Sequence, residues 1–135
     1  MHKKLLALYG LKWNPFAPEL PSEALLTTPK VENFCWRIEQ AHVREGGFAL
    51  ITGDPGTGKS VALRLLAERL GGVGELTVGA LAHPQCYIAD FYRELGDLFG
   101  VQLRPHNRWC GFKALRDRWT VHIESTLLRP MLLID

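Results

Sequence analysis

Cysteine is scarce in this 135-residue chain, and poorly spaced for chemistry. Cys35, Cys86 and Cys110 are odd in number and form no CxxC pair, which argues against a disulfide framework and against a zinc site. Reduced thiols fit a cytosolic setting. His2, His42, His83, His106 and His122 show no ligand spacing either. No apolar run is long enough to span a bilayer. The basic, apolar start "MHKKLLALYG" is interrupted by Gly10, Lys12 and Asn14 without a small-residue cleavage site, so it is not read as a secretory signal. A soluble, cytoplasmic protein is expected. Repeats and low-complexity segments are also missing. Neither sign of charge dominates, with 16 Lys and Arg against 14 Asp and Glu.

The composition is that of an ordered globular domain: 47% of residues are apolar and 22% charged. Charge is uneven along the chain. Between residues 101 and 130, Arg104, Arg108, Lys113, Arg116, Arg118 and Arg129 face only Asp117 and Glu124. That stretch suits either a solvated helix face or contact with a polyanion.

Residues 9–29 hold four of the eight prolines and read as an extended arm. Thr28 followed by Pro29 is a helix start, and Val31, Phe34, Cys35, Ile38 and Ala41 follow at helical spacing until Gly46 and Gly47. "FALIT", residues 48–52, reads as a strand buried on both faces. "KSVALRLLAERL" is the next helix, and "LTVGAL" at 76–81 a second strand, weakened by Gly79. Residues 83–100 carry an amphipathic stripe of Ile88, Phe91, Tyr92, Leu95, Leu98 and Phe99, closed by Gly100. Residues 109–128 form another helix, with Phe112, Leu115, Trp119 and Ile123 inward, and "MLLID" closes the series as a third strand. This alternation implies an α/β fold with a largely parallel sheet.

One motif carries chemistry. "GDPGTGKS", Gly53 to Ser60, matches GxxxxGK[ST] in full, and it lies between an expected strand and an expected helix, as a phosphate-binding loop must. Its backbone N–H groups can wrap phosphate only where side chains do not intrude, hence Gly56 and Gly58. The following helix directs its positive end at the anion. Lys59 reaches the β- and γ-phosphates and Ser60 is placed to bind Mg²⁺. Such sites also need an acid at the tip of a neighbouring strand to hold the Mg²⁺ water shell, and Asp135 after four apolar residues has that form. The plainer reading makes Asp135 the start of a turn.

The chain resembles AAA+ ATPases of the ExeA and TniB type. The resemblance rests on "YGLKWNPF", where Gly10, Leu11, Pro15 and Phe16 match a GL-x-x-x-PF arm, on "EGGFALITGDPGTGKS", and on "RPMLLID". It implies a P-loop NTPase three-layer α/β/α sandwich with a parallel sheet, truncated after the Walker B strand. Residues 1–28 would be an extended arm, and residues 29–135 the N-terminal half of the ATPase domain. It also implies ATP and Mg²⁺ as cofactors. Gly53, Asp54, Pro55, Gly56, Thr57, Gly58, Lys59, Ser60 and Val61 would contact the nucleotide. Lys59 and Asp135 would serve catalysis, and Ser60 and Asp135 the metal. Trp13, Asn14 and Phe16 would pack near the adenine, or simply cover the sheet.

In that family the strand order is 5-1-4-3-2, so residues 48–52 and 131–135 would not be neighbours, and the chain by itself should be loosely folded with little hydrolysis. The catalytic Glu, sensor and arginine finger of the family have no counterpart in these residues. The resemblance favours an accessory ATPase for DNA transposition, acting as a homo-oligomer on double-stranded DNA with a transposase. The alternatives are an ExeA-like ATPase for type II secretion assembly and an inactive remnant. Trp109, Phe112, Arg116 and Trp119 also have the composition of a single-strand nucleic-acid surface, although helical spacing favours core for Phe112 and Trp119. Arg104, Arg108 and Lys113 are the further phosphate-contact choices.

Overall fold

The computed structural model describes residues 3–17, 20–81, 87–102 and 108–135. His2, His83, Cys86, Arg104 and His106 lie outside these residues, as do the first positions expected for the helix at 83–100 and the side chain of Arg108.

The N-terminal arm is not extended throughout, which corrects the reading of residues 1–28. Lys3–Leu8 forms a short helix, α1. That run contains no Pro, Gly or β-branched residue, so nothing in it opposes a turn and a half of helix. Ser22–Ala24 adds a single 3₁₀ turn. Helix α2 (Pro29–Ile38) begins as expected, with Thr28 Oγ1 accepting from the Val31 N–H at 3.4 Å. It then widens into a π turn at Glu39–Val43. Helix α3 is Lys59–Gly71, β1 Leu76–Leu81, α4 Ile88–Phe99, α5 Arg108–Thr126 and β2 Arg129–Ile134.

Strands β1 and β2 pair in parallel, with Leu76 opposite Arg129 and Leu81 opposite Ile134. Side chains alternate across them. One face carries Leu76, Val78, Met131 and Leu133 against Cys35 of α2 and Leu66 and Leu70 of α3, which is the main core. On the other face Thr77 meets His122 of α5, and the backbone at Gly79 lies so close to α4 that an added Cβ would stand 2.5 Å from Leu98 Cδ2. The glycine that weakens β1 by propensity is therefore what lets α4 approach the sheet. Helix α4 ends in a Schellman turn: Gly100 is left-handed at φ 65°, and Val101 N–H reaches Gly96 O at 2.7 Å.

Helices thus cover both faces of a two-stranded parallel sheet. This is an α/β arrangement, but the described residues do not build the wider sheet of a full three-layer sandwich. The expected strand at 48–52 does not form, because a strand exists only through its ladder and this segment pairs with none. Phe48 and Leu50 are 87% and 76% exposed. Helix α5 also differs from expectation. Trp119 packs edge-on against Phe99 at 5.2 Å, but Phe112 is half exposed. A helix of 19 residues, about 28 Å long, outruns strands of six residues, about 20 Å long.

Candidate functional site

Residues 53–58 form an exposed loop between the unpaired segment 48–52 and α3. Gly58 caps α3 in the left-handed region, at φ 86°, and Gly56 also has positive φ, at 79°. A Cβ at either position would be strained, so the glycines of the motif are required by the turn itself. Thr57 braces the loop, its hydroxyl donating to Asp54 O at 2.8 Å. Lys59 Nζ curls back over it, donating to Gly53 O at 3.0 Å and Asp54 O at 2.9 Å.

Asp135 follows β2, and its N–H is held by Leu81 O at 3.0 Å, which aligns the ends of the two strands. Its carboxylate Oδ1 accepts a hydrogen bond from Ser60 Oγ at 3.0 Å. Two residues 75 positions apart, one in the first turn of α3 and one just after β2, thus meet at the mouth of the loop. The parallel sheet and the packing of α3 on it bring them together.

Between residues 47–51 and β2 lies an apolar slot of about 490 Å³, with Phe48, Leu50, Leu63, Leu66 and Leu133 on its walls and Lys59 and Asp135 at one end. Arg129 and Asp135 both turn their N–H groups to β1. In a parallel ladder that orientation alternates, so Leu132 and Ile134 turn their backbone groups toward the slot. Pro130, which has no N–H, falls on the same outward side and removes no bond from the β1 ladder.

The arm residues Trp13, Asn14 and Phe16 have no hydrogen bond to the loop among the described residues. Lys12 Nζ lies 4.2 Å from the Trp13 ring centroid, Asn14 Oδ1 accepts from the Phe16 N–H at 3.1 Å, and the Phe16 ring is 83% exposed. The arm is tied instead to α3, where Arg64 donates to Leu20 O.

The roles of two residues escaped the sequence reading. Arg129 donates to Val43 O at 2.7 Å and to Arg44 O, joining the start of β2 to the carbonyls that end the α2 segment. His42, in the π turn, lines the slot and holds a buried Nδ1 that has no hydrogen-bond partner. Only the tertiary arrangement reveals either role, since a lone Arg or His has no local signature.

The sequence matches an AAA domain over residues 42–135. The chain belongs to this AAA family. The AAA domain begins within the π turn, so the loop, α3, both strands and Asp135 all fall inside it, while the arm precedes it. AAA domains are P-loop NTPases, and the α/β arrangement around the loop agrees with that class. No curated protein and no solved structure gives a significant match. No helix among the described residues is long and apolar enough to cross a membrane.

The donor set fits Mg²⁺ delivered with a nucleotide. A hydroxyl and a carboxylate offer hard oxygens, but no group of three or more His, Cys, Asp or Glu residues among those described stands ready to hold a metal. Mg²⁺ is commonly held by one or two protein oxygens together with substrate phosphates and water, which is the kind of site Ser60 and Asp135 can make.

Proposed function

We propose that this AAA domain binds ATP with Mg²⁺ in the loop Gly53–Ser60 and supports its hydrolysis in the assembled enzyme. The observation that carries the reading is the 3.0 Å contact between Ser60 Oγ and Asp135 Oδ1, directly beside the loop. Mg²⁺, when bound, neutralises phosphate charge. Ser60 would offer it a hydroxyl oxygen, and Asp135 would hold the water around it. Lys59, which donates to the carbonyls of Gly53 and Asp54, would exchange them for anionic phosphate oxygens, a stronger pairing. The backbone N–H groups of Gly56, Gly58, Lys59 and Ser60 are the remaining anion donors, and the N-terminus of α3 adds its dipole.

The finer assignment follows the likeness of the "YGLKWNPF" arm and the "RPMLLID" strand to ExeA and TniB proteins. On that basis the setting is an accessory role in DNA transposition, with a homo-oligomer engaging double-stranded DNA and a transposase.

Titration of a fluorescent ATP analogue tests the nucleotide reading. Lys59→Ala should weaken binding about tenfold to hundredfold, corresponding to roughly 1.5–3 kcal/mol for hydrogen bonds to a charged group. Asp135→Asn should chiefly raise the Mg²⁺ concentration needed for tight binding. Equal affinity in wild type and Lys59→Ala would reject the site.

A further inference from the structure

Helix α5 is pinned to the molecule along one side. Trp119 packs on Phe99, Arg118 Nε donates to Phe99 O at 3.1 Å, and His122 Nε2 lies 3.1 Å from Thr77 Oγ1 of β1. These anchors set the rotation of the helix. They leave Trp109, Phe112, Lys113 and Arg116, spaced three, four and seven residues from the first, along an outward stripe. Trp109 is 75% and Phe112 50% exposed, and their ring centroids stand 6.3 Å apart with planes inclined by 34°. Lys113 is exposed as well. Arg116 is bonded to Asp117 at 3.2 Å, but both side chains are more than half exposed. An ion pair so open to water contributes little and yields readily to a phosphate.

A large exposed aromatic pair on a soluble helix calls for a ligand, and the cations beside it define which kind. The acid beside the stripe, Asp117, is held only in that open pair with Arg116. An apolar protein partner would meet the rings at the cost of taking the charges of Lys113 and of the Arg116–Asp117 pair out of water. A single-stranded nucleic acid satisfies both features, because unpaired bases stack on rings while phosphates meet the cations. Duplex DNA offers phosphate but hides its base faces, leaving the rings unused.

We propose that the Trp109–Phe112–Lys113–Arg116 face of α5 binds single-stranded nucleic acid. Two bases stack on the rings, and Lys113 and Arg116 neutralise phosphates. The site is separate from the nucleotide loop and does not depend on the ATP reading.

The test is fluorescence anisotropy of labelled oligothymidylate with the full chain, without nucleotide and across a series of salt concentrations, against a mixed-sequence duplex of equal length. Trp109→Ala should weaken oligothymidylate binding roughly fivefold to 150-fold, the range for loss of one base–aromatic stack. Trp109→Phe, which keeps a ring, should recover most of the affinity. Trp36→Ala, at an exposed aromatic of α2, should leave it unchanged. Replacing Lys113 and Arg116 together by Gln should flatten the dependence of log affinity on log salt by about 1.4, at about 0.7 per phosphate contact. The duplex should bind more weakly than the single strand and respond little to Trp109→Ala. The proposal is overturned if wild type binds no oligothymidylate, if Trp109→Ala binds as tightly as wild type, or if the duplex matches the single strand in affinity and in sensitivity to Trp109.

Discussion

Cys35 shows how burial governs chemistry at a single side chain. It is 3% exposed in the core between α2 and α3, and desolvation pushes its thiol above the ordinary value of 9.0, an effect only partly opposed by the Arg69 guanidinium. A raised pKa means that the folded chain holds this proton more tightly than the unfolded one. The associated stability is present in full below about pH 9 and is lost as pH rises through the folded value. Wild type should therefore lose more stability between pH 8 and pH 10.5 than Cys35→Ala does, measured by urea unfolding. Iodoacetamide at pH 8 should modify Cys35 more slowly in the native chain than in urea. Equal rates in the two states would contradict its burial.

The elements carry their own local logic, and the end of α5 departs from it. Leu127 occupies the left-handed position after the helix, at φ 58°, and its N–H closes on Ile123 O at 2.9 Å. This is the turn that Gly normally supplies. A left-handed leucine is disfavoured by about 1–2 kcal/mol, and Leu127 is 83% exposed, so its side chain recovers little by packing. Leu127→Gly should raise stability by about 0.5–1 kcal/mol after allowance for glycine's greater freedom in the unfolded chain. A rise of a few degrees in Tm would show it, whereas a fall would mean that Leu127 makes a contact worth more than the strain. At the other end of the scale, Thr28→Ala at the start of α2 should lower stability by about 1 kcal/mol, because it leaves the Val31 N–H without its side-chain acceptor.

At the scale of the whole molecule, the sheet and the slot beside it set local stability. Residues 48–52 lead directly into the loop Gly53–Ser60 yet pair with no strand, while β1 and β2 hold each other through six residue pairs. Amide exchange should reveal the contrast. Ala49 to Thr52 should exchange at nearly unprotected rates, and Met131 and Leu133, whose N–H groups face β1, should be among the slowest. Equal protection in the two segments would mean that residues 48–52 are paired after all. Saturating ATP and Mg²⁺ should slow exchange around Gly53–Ser60 and, through Ser60 and Asp135, at the end of β2.

The sequence by itself determined the glycine-rich turn ahead of α3, the positions of α2, α3 and α4, and the strand that leads into Asp135. These depend on local rules: glycines where φ must be positive, Thr28–Pro29 at a helix start, Gly100 at a helix end, and apolar spacing matched to 3.6 or 2 residues. It misjudged Phe48 and Leu50 because an apolar run signals burial without showing whether a pairing edge is at hand. It misjudged Phe112 because helical spacing cannot tell how far a helix extends past the sheet beneath it. The tertiary structure alone decided that Ser60 and Asp135 touch, that Gly79 makes room for Leu98, and that Arg129 secures the end of the α2 segment. Each of those contacts joins residues far apart in the chain, and only the packed geometry of the folded molecule sets their distance.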